Sequence, residues 1–149
     1  MAAASTTLNY EAEHTRSISQ TLIVLVGRLL FSAIFLMAAS GHFSKQTIDY
    51  AASQGVPFAS LAVPFSGALA LAGGLSILLG YRAKLGAWLI VLFLVGVTPM
   101  MHKFWTIHDP AMAQIQMIMF MKNVSMLGGA LLISQFGAGP FSLDARGSR

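Results

Sequence analysis

Two cations stand inside long apolar runs, where a charge needs a reason. Arg28 lies within Thr21 to Gly41, with Ser32 one turn further along the same helical face. Lys122 lies within Ile115 to Phe136 beside Asn123, and shares a helical face with Ser125 and Gly129. Insertion scales put the cost of such a charge at the centre of a spanning helix at about 2.5 to 3.5 kcal/mol. Arg28 is roughly 10 Å in from the start of its run at 1.5 Å per residue. It serves either as an anchor snorkelling to lipid phosphate or as an inward guanidinium that holds carbonyls or an anionic group. For Lys122 the neighbouring small residues predict an inward face. No acidic residue occurs in any of the apolar runs, so its partners would be a carbonyl, water, a ligand, or Asp49 or Asp109 from the loops. Asn123 and Gln116 add amides suited to hydrogen bonds between helices.

Two histidines mark the ends of runs: His42 closes the first and His102 the third, at similar depth if these helices are antiparallel. Lys45, Trp105 and His108 are close to them in sequence. Such a pair could ligate a b-type haem, but a lone histidine at a membrane boundary more often has an amphipathic role, and haem b is the weaker reading. There is no cysteine, so thiolate metal sites, CxxC redox chemistry and iron–sulfur clusters ligated by this chain alone are excluded. No metal is assigned to the nine methionines. GxSxG, Walker, HExxH and GxGxxG elements are missing, which removes support for hydrolase, ATPase and dinucleotide-binding readings.

The elements that position these residues follow from composition. Of 149 residues 56% are hydrophobic and 9% charged, against about a quarter charged in a soluble domain; mean hydropathy is +0.71. The missing polar cover makes lipid the solvent. A net charge of +4 does not indicate nucleic acid, because the basic residues are scattered singly without interleaved aromatics. Four runs approach the ~20 residues of a span: Thr21 to Gly41, Phe58 to Gly80, Leu85 to Met101 and Ile115 to Phe136. They are continuous rather than alternating, which selects helices over barrel strands. The expected fold is an all-α, four-helix membrane bundle over residues 20–137. A polar tail precedes it at 1–19 and a short tail follows at 138–149. Arg28 interrupts the first run, which is therefore expected to stay as an anchor and not be cleaved as a signal peptide.

Between the runs lie a polar loop with Lys45, Asp49 and Pro57, the short turn Tyr81-Arg82-Ala83-Lys84, and a loop with Lys103, Trp105, His108, Asp109 and Pro110. The short turn makes the second and third spans antiparallel neighbours. Ser66, Ala70 and Gly74 repeat every fourth residue and predict a close helix contact. Pro99 is expected to kink the third span before His102. Arg16, Arg82, Lys84, Arg146 and Arg149 fall on one side against Lys45 and Lys103 on the other, which predicts that both termini are cytoplasmic.

Gly27-Arg28-Leu29-Leu30 with Phe35, Gly80-Tyr81-Arg82, Met101-His102-Lys103-Phe104-Trp105, and Phe120-Met121-Lys122-Asn123 with Leu127-Gly128-Gly129 occur here in an order that resembles the DoxX family. The resemblance runs from the first span to Ser142-Leu143-Asp144. It implies a four-helix protein of bacterial or archaeal inner membranes, some relatives of which are subunits of quinone-linked oxidoreductases such as thiosulfate:quinone oxidoreductase or terminal oxidase complexes. Its helix-embedded arginine corresponds to Arg28, its Lys-Asn pair to Lys122 and Asn123, and its histidine-tryptophan element to His102 and Trp105, none carrying an established catalytic role. His42 departs from the family pattern, where Gly and Lys more often stand close together.

Two functions are expected from these features. One is an accessory subunit or component of a quinone-linked membrane oxidoreductase, with a quinone-like ligand near the outer helix ends held by Lys122, Asn123, His102, Trp105, His42 and Arg28. The other is a non-enzymatic scaffold that anchors soluble redox or stress-response proteins, its buried polar residues serving packing alone. Expected partners are the lipid bilayer and membrane or soluble oxidoreductase subunits; no oligomeric state is assigned. A transporter ranks below both, since no internal repeat or broken helix pair is visible.

Overall fold

In hydrocarbon every backbone N–H and C=O must be paired inside the chain, and a helix does this locally. The computed structural model describes Ala2 through Gly147, with side chains from Ile18 onward. The side chains of Glu11, Glu13, His14 and Arg16, and residues Ser148 and Arg149, therefore lie outside the described part. The fold is all-α: α1 (Ala2–Ala39), α2 (Lys45–Ser53), α3 (Ala59–Leu79), α4 (Ala83–Met101), α5 (Pro110–Phe136) and α6 (Leu143–Gly147), with 3-10 turns at Ser40–Phe43 and Phe104–Thr106. Among the described residues four segments are long and apolar enough to cross a membrane: Ile18–Phe43, Ala59–Leu79, Ala83–Thr106 and Pro110–Phe136.

Several boundaries differ from the sequence reading; helix α1 runs back to Ala2, through the polar tail expected at 1–19. The segment around Lys45 and Asp49 is a helix, α2, and not a loop. Ser44 caps it by accepting from the Thr47 N–H at 3.2 Å, and Lys45 pairs with Asp49 one turn on at 2.6 Å. The fourth span starts at Pro110, ahead of the expected Ile115. Asp109 accepts from the Met112 N–H at 2.8 Å and Pro110 occupies the first turn, a pairing suited to a helix start.

Helices α3 and α4 form the central antiparallel pair; α1 packs on α3, and α5 on α4. The α3–α4 turn uses left-handed backbone at Gly80 and Arg82, and Ser76 Oγ donates to the Tyr81 carbonyl at 2.6 Å. The two helices approach most closely at Gly73 and Gly86, where a Cβ on Gly73 would lie 2.8 Å from the Gly86 carbonyl oxygen. Ala70 and Gly74 of the expected small-residue stripe are buried, and Gly74 meets Phe35 and Leu36 of α1. Phe35, Ile77, Ile90, Phe93, Leu94 and Ala130 form the core. Helix α4 continues through Pro99 to Met101 and stops at His102.

The inward face of α5 is a correction. Asn123, Ala130 and Ser134 are buried, whereas Lys122 and Ser125 are exposed; Gly129 alone of that expected face makes a close contact, with Phe31 of α1. Helix α5 is apolar nearly all round, so periodicity gives no contrast. The face that meets α4 is turned about 100° from Lys122, the step between adjacent helical residues.

Candidate functional site

Beyond the core, α3 and α4 diverge towards α2 and leave a cavity of about 280 Å³. Its walls include Val63, Leu69, Phe93, Val97 and Met101, and α2 contributes Thr47 and Ala51. Ile48 and Ala51 pack with Val56, Ala59, Val63 and Met101, so the amphipathic α2 serves as a cover. Lys103 holds that cover by donating from Nζ to the Gln54 carbonyl at 2.9 Å, a cation at a helix C-terminus. Phe65 and Leu92 line the cavity and are also 62% and 57% exposed on the outside of the bundle, marking a sideways opening to hydrocarbon.

Three lining side chains are hydrogen-bonding groups: His42, Thr47 and Ser66. The Thr47 hydroxyl is paired with Ser44 Oγ at 2.9 Å, and Ser66 Oγ donates to the Val63 carbonyl at 2.7 Å. His42 Nδ1 lies 3.0 Å from the Ala38 carbonyl, and its ring stands edge-on to Phe93 at 5.6 Å between centroids. Gly67 makes room for it: a Cβ there would fall 2.5 Å from the His42 Cβ.

Arg28 is at the opposite end. It is 5% exposed, and its guanidinium forks across three carbonyls: Nη1 donates to Ala138 at 3.0 Å, Nη2 to Leu78 at 3.0 Å, and both to Phe141 at 3.3 Å. It thereby ties α1 to the end of α3 and to the chain after α5. Asp144 completes the lock, its carboxylate accepting from the Arg82 and Ala83 N–H groups at 2.7 and 3.0 Å while its own N–H reaches the Gly80 carbonyl at 2.8 Å. Of the two roles considered for Arg28, this geometry is that of an inward guanidinium holding carbonyls.

The remaining candidates do not line the cavity. His102 Nδ1 bonds Gln116 Oε1 at 2.8 Å, joining the end of α4 to α5. Trp105 is exposed and makes edge contacts with Phe104 and Phe120 at 5.1 and 5.9 Å between centroids. Lys122 Nζ is 3.4 Å from Met119 Sδ on the outer surface of α5, and Asn123 is buried against the bundle. Among the described residues no group of three or more His, Cys, Asp or Glu is close enough to hold a metal ion. Sequence reasoning named Ser66 only within the small-residue stripe and Lys103 only within a loop, the charge bias and the family element, neither for a place at the cavity, and it passed over Gly67.

Compared with known families, residues 23–103 match the DoxX model and residues 65–148 match the SURF4 family model. Inner membrane protein YphA of Escherichia coli strain K12 is 29% identical over 133 residues, covering 86% of this chain and 92% of that protein. Inner membrane protein YqjF of the same strain is 32% identical over 123 residues, covering 81% and 88%. No solved structure matches.

Proposed function

Because this chain belongs to the DoxX family, and the relatives it matches are inner-membrane proteins, we propose that it is a multi-pass component of a quinone-linked inner-membrane oxidoreductase that binds a quinone-like ring in the cavity at His42. The observation that carries this reading is the cavity itself. It is apolar, lies between α3 and α4 towards one face of the bundle, and opens sideways where Phe65 and Leu92 are exposed. A water-soluble substrate would need an aqueous mouth, whereas a lipid-soluble one enters from the side. At about 280 Å³ the space is close to the lower bound of roughly 300 Å³ for ligand pockets, enough for a ring while an isoprenoid tail remains in lipid.

Gly96 provides the test. It lines the cavity, and a Cβ added to it meets nothing within 4 Å, so Gly96→Leu adds bulk at the cavity wall with no clash at its Cβ. Quinones retained by the protein in mild detergent are measured by mass spectrometry for wild type, Gly96→Leu and Lys122→Met. The expected result is a stoichiometric quinone that Gly96→Leu loses and Lys122→Met keeps. Retention in Gly96→Leu with loss in Lys122→Met would overturn the assignment and move the site to the middle of α5.

The scaffold reading is favoured by a different feature, an open groove at the Arg28 end lined by Arg82, Lys84, Phe136 and Asp144. A soluble partner bound there would be indifferent to Gly96→Leu.

A further inference from the structure

We infer that the cavity selects the reduced, hydroxyl-bearing form of its ring ligand, with His42 Nε2 accepting a hydrogen bond from the ring O–H. The inference rests on the ligand reading above and adds the chemical form that is recognised.

The argument is one of hydrogen-bond accounting. A carbonyl oxygen can only accept, so the 3.0 Å contact between His42 Nδ1 and the Ala38 carbonyl requires the proton on Nδ1. In the neutral ring that leaves Nε2 with a lone pair and no proton. Nε2 has no protein partner among the described residues. The other two lining hydroxyls have their protons engaged locally, Thr47 with Ser44 and Ser66 with the Val63 carbonyl, so neither offers a donor to a ring carbonyl. The cavity therefore offers an unengaged acceptor in a wall that is otherwise apolar. An oxidised quinone presents carbonyl oxygens, which are acceptors, and acceptor against acceptor makes no bond. A quinol or related phenol presents O–H and completes the pair. Phe93, edge-on to the imidazole, and Gly67, which closely backs its Cβ, hold the ring in place, so the acceptor is fixed before the ligand arrives.

The experiment uses the full chain in lipid nanodiscs under anaerobic conditions, with three short-tailed naphthalene probes: the quinone, the quinol, and the quinol dimethyl ether, which keeps ring and oxygens but has no O–H. Binding is followed by quenching of intrinsic tryptophan fluorescence and by calorimetry, for wild type, His42→Phe and Gly96→Leu. The expected result is saturable binding that Gly96→Leu abolishes, with the quinol bound roughly five- to tenfold more tightly than the ether or the quinone. In His42→Phe, where the ring is kept but the acceptor is lost, that preference disappears. Equal affinity of wild type for quinol and ether, with binding still sensitive to Gly96→Leu, overturns this inference and leaves the ligand reading standing. No saturable binding of any probe, or binding insensitive to Gly96→Leu, overturns both. If His42→Phe does not fold, the wild-type comparison of quinol with ether decides the question by itself.

Discussion

Arg28 and Ser32 share a face of α1 and are both buried, but their polar atoms are in opposite situations. The two terminal nitrogens of Arg28 hold three carbonyls, whereas Ser32 Oγ, like Arg28 Nε, is buried without a hydrogen-bond partner among the described residues. Arg28→Leu strands carbonyls at the end of α3 and after α5, and a stranded buried acceptor costs about 1 to 3 kcal/mol. The expected loss is therefore about 3 kcal/mol or more, read as a lower midpoint in thermal unfolding of the detergent-solubilised protein. Arg28→Lys restores only part of it, because an ammonium lacks the planar fork. Ser32→Ala removes an unpartnered hydroxyl and should leave the midpoint unchanged or slightly raised; a large drop would show that the hydroxyl has a partner in the membrane. That Arg28 needs a role was legible, because a charge inside an apolar run must be explained, but an inward guanidinium and a snorkelling anchor fitted the sequence equally well. Its partners were not legible, since Ala138 and Phe141 are more than a hundred residues away and present only backbone. Lys122 shows the converse: residue type singled it out, but the contact made by α5 lies on the neighbouring face.

At the scale of elements, the spans were legible and their cover was not. Continuous apolar runs of about 20 residues have few alternatives in a bilayer, and three of the four observed spans begin within a few residues of where hydropathy puts them. Helix α2 escaped because its nine residues include Lys45 and Asp49 and give no hydropathy peak. Its signals were local: Ser44 three residues before Thr47, the Lys45 and Asp49 pair, and Ile48 spaced one turn from Ala51. The cavity was illegible for the same reason, since it exists only where α2 closes the gap between α3 and α4. Two contacts hold this cover, Ser44 at its start and Lys103 at its end. Removing the Ser44 cap costs about 1 kcal/mol of local helix stability. The Ser44→Ala, Lys103→Met double variant is therefore expected to speed amide hydrogen exchange across residues 45–54 while the exchange of α3 and α4 stays as in wild type. Unchanged exchange in α2 would mean that its apolar face alone keeps it closed.

The whole molecule has two unlike ends. Arg82, Lys84 and Arg146 gather at the end locked by Arg28 and Asp144, and residues 138–147 are part of that end, with Ala138 and Ser142 each 3% exposed. Lys45 and Lys103 stand at the other end, beside the cavity, where Lys45 is paired with Asp49 and Lys103 with a backbone carbonyl. The excess of Lys and Arg at the locked end predicts that it faces the cytoplasm. The distribution was readable from sequence because orientation depends on which charges flank the spans and not on how the helices pack. As the chain has no cysteine, a single introduced thiol reports its own side without background. Gln46 on α2 and Gly147 at the end of α6 are both exposed, so Gln46→Cys and Gly147→Cys place one thiol at each end. In intact cells a membrane-impermeant maleimide should label Gln46→Cys at once and Gly147→Cys only after permeabilisation. That result would place the cavity in the outer half of the bilayer, with its sideways opening facing the outer leaflet. The reverse labelling would place the same cavity against the cytoplasmic leaflet and overturn the orientation read from the charge bias.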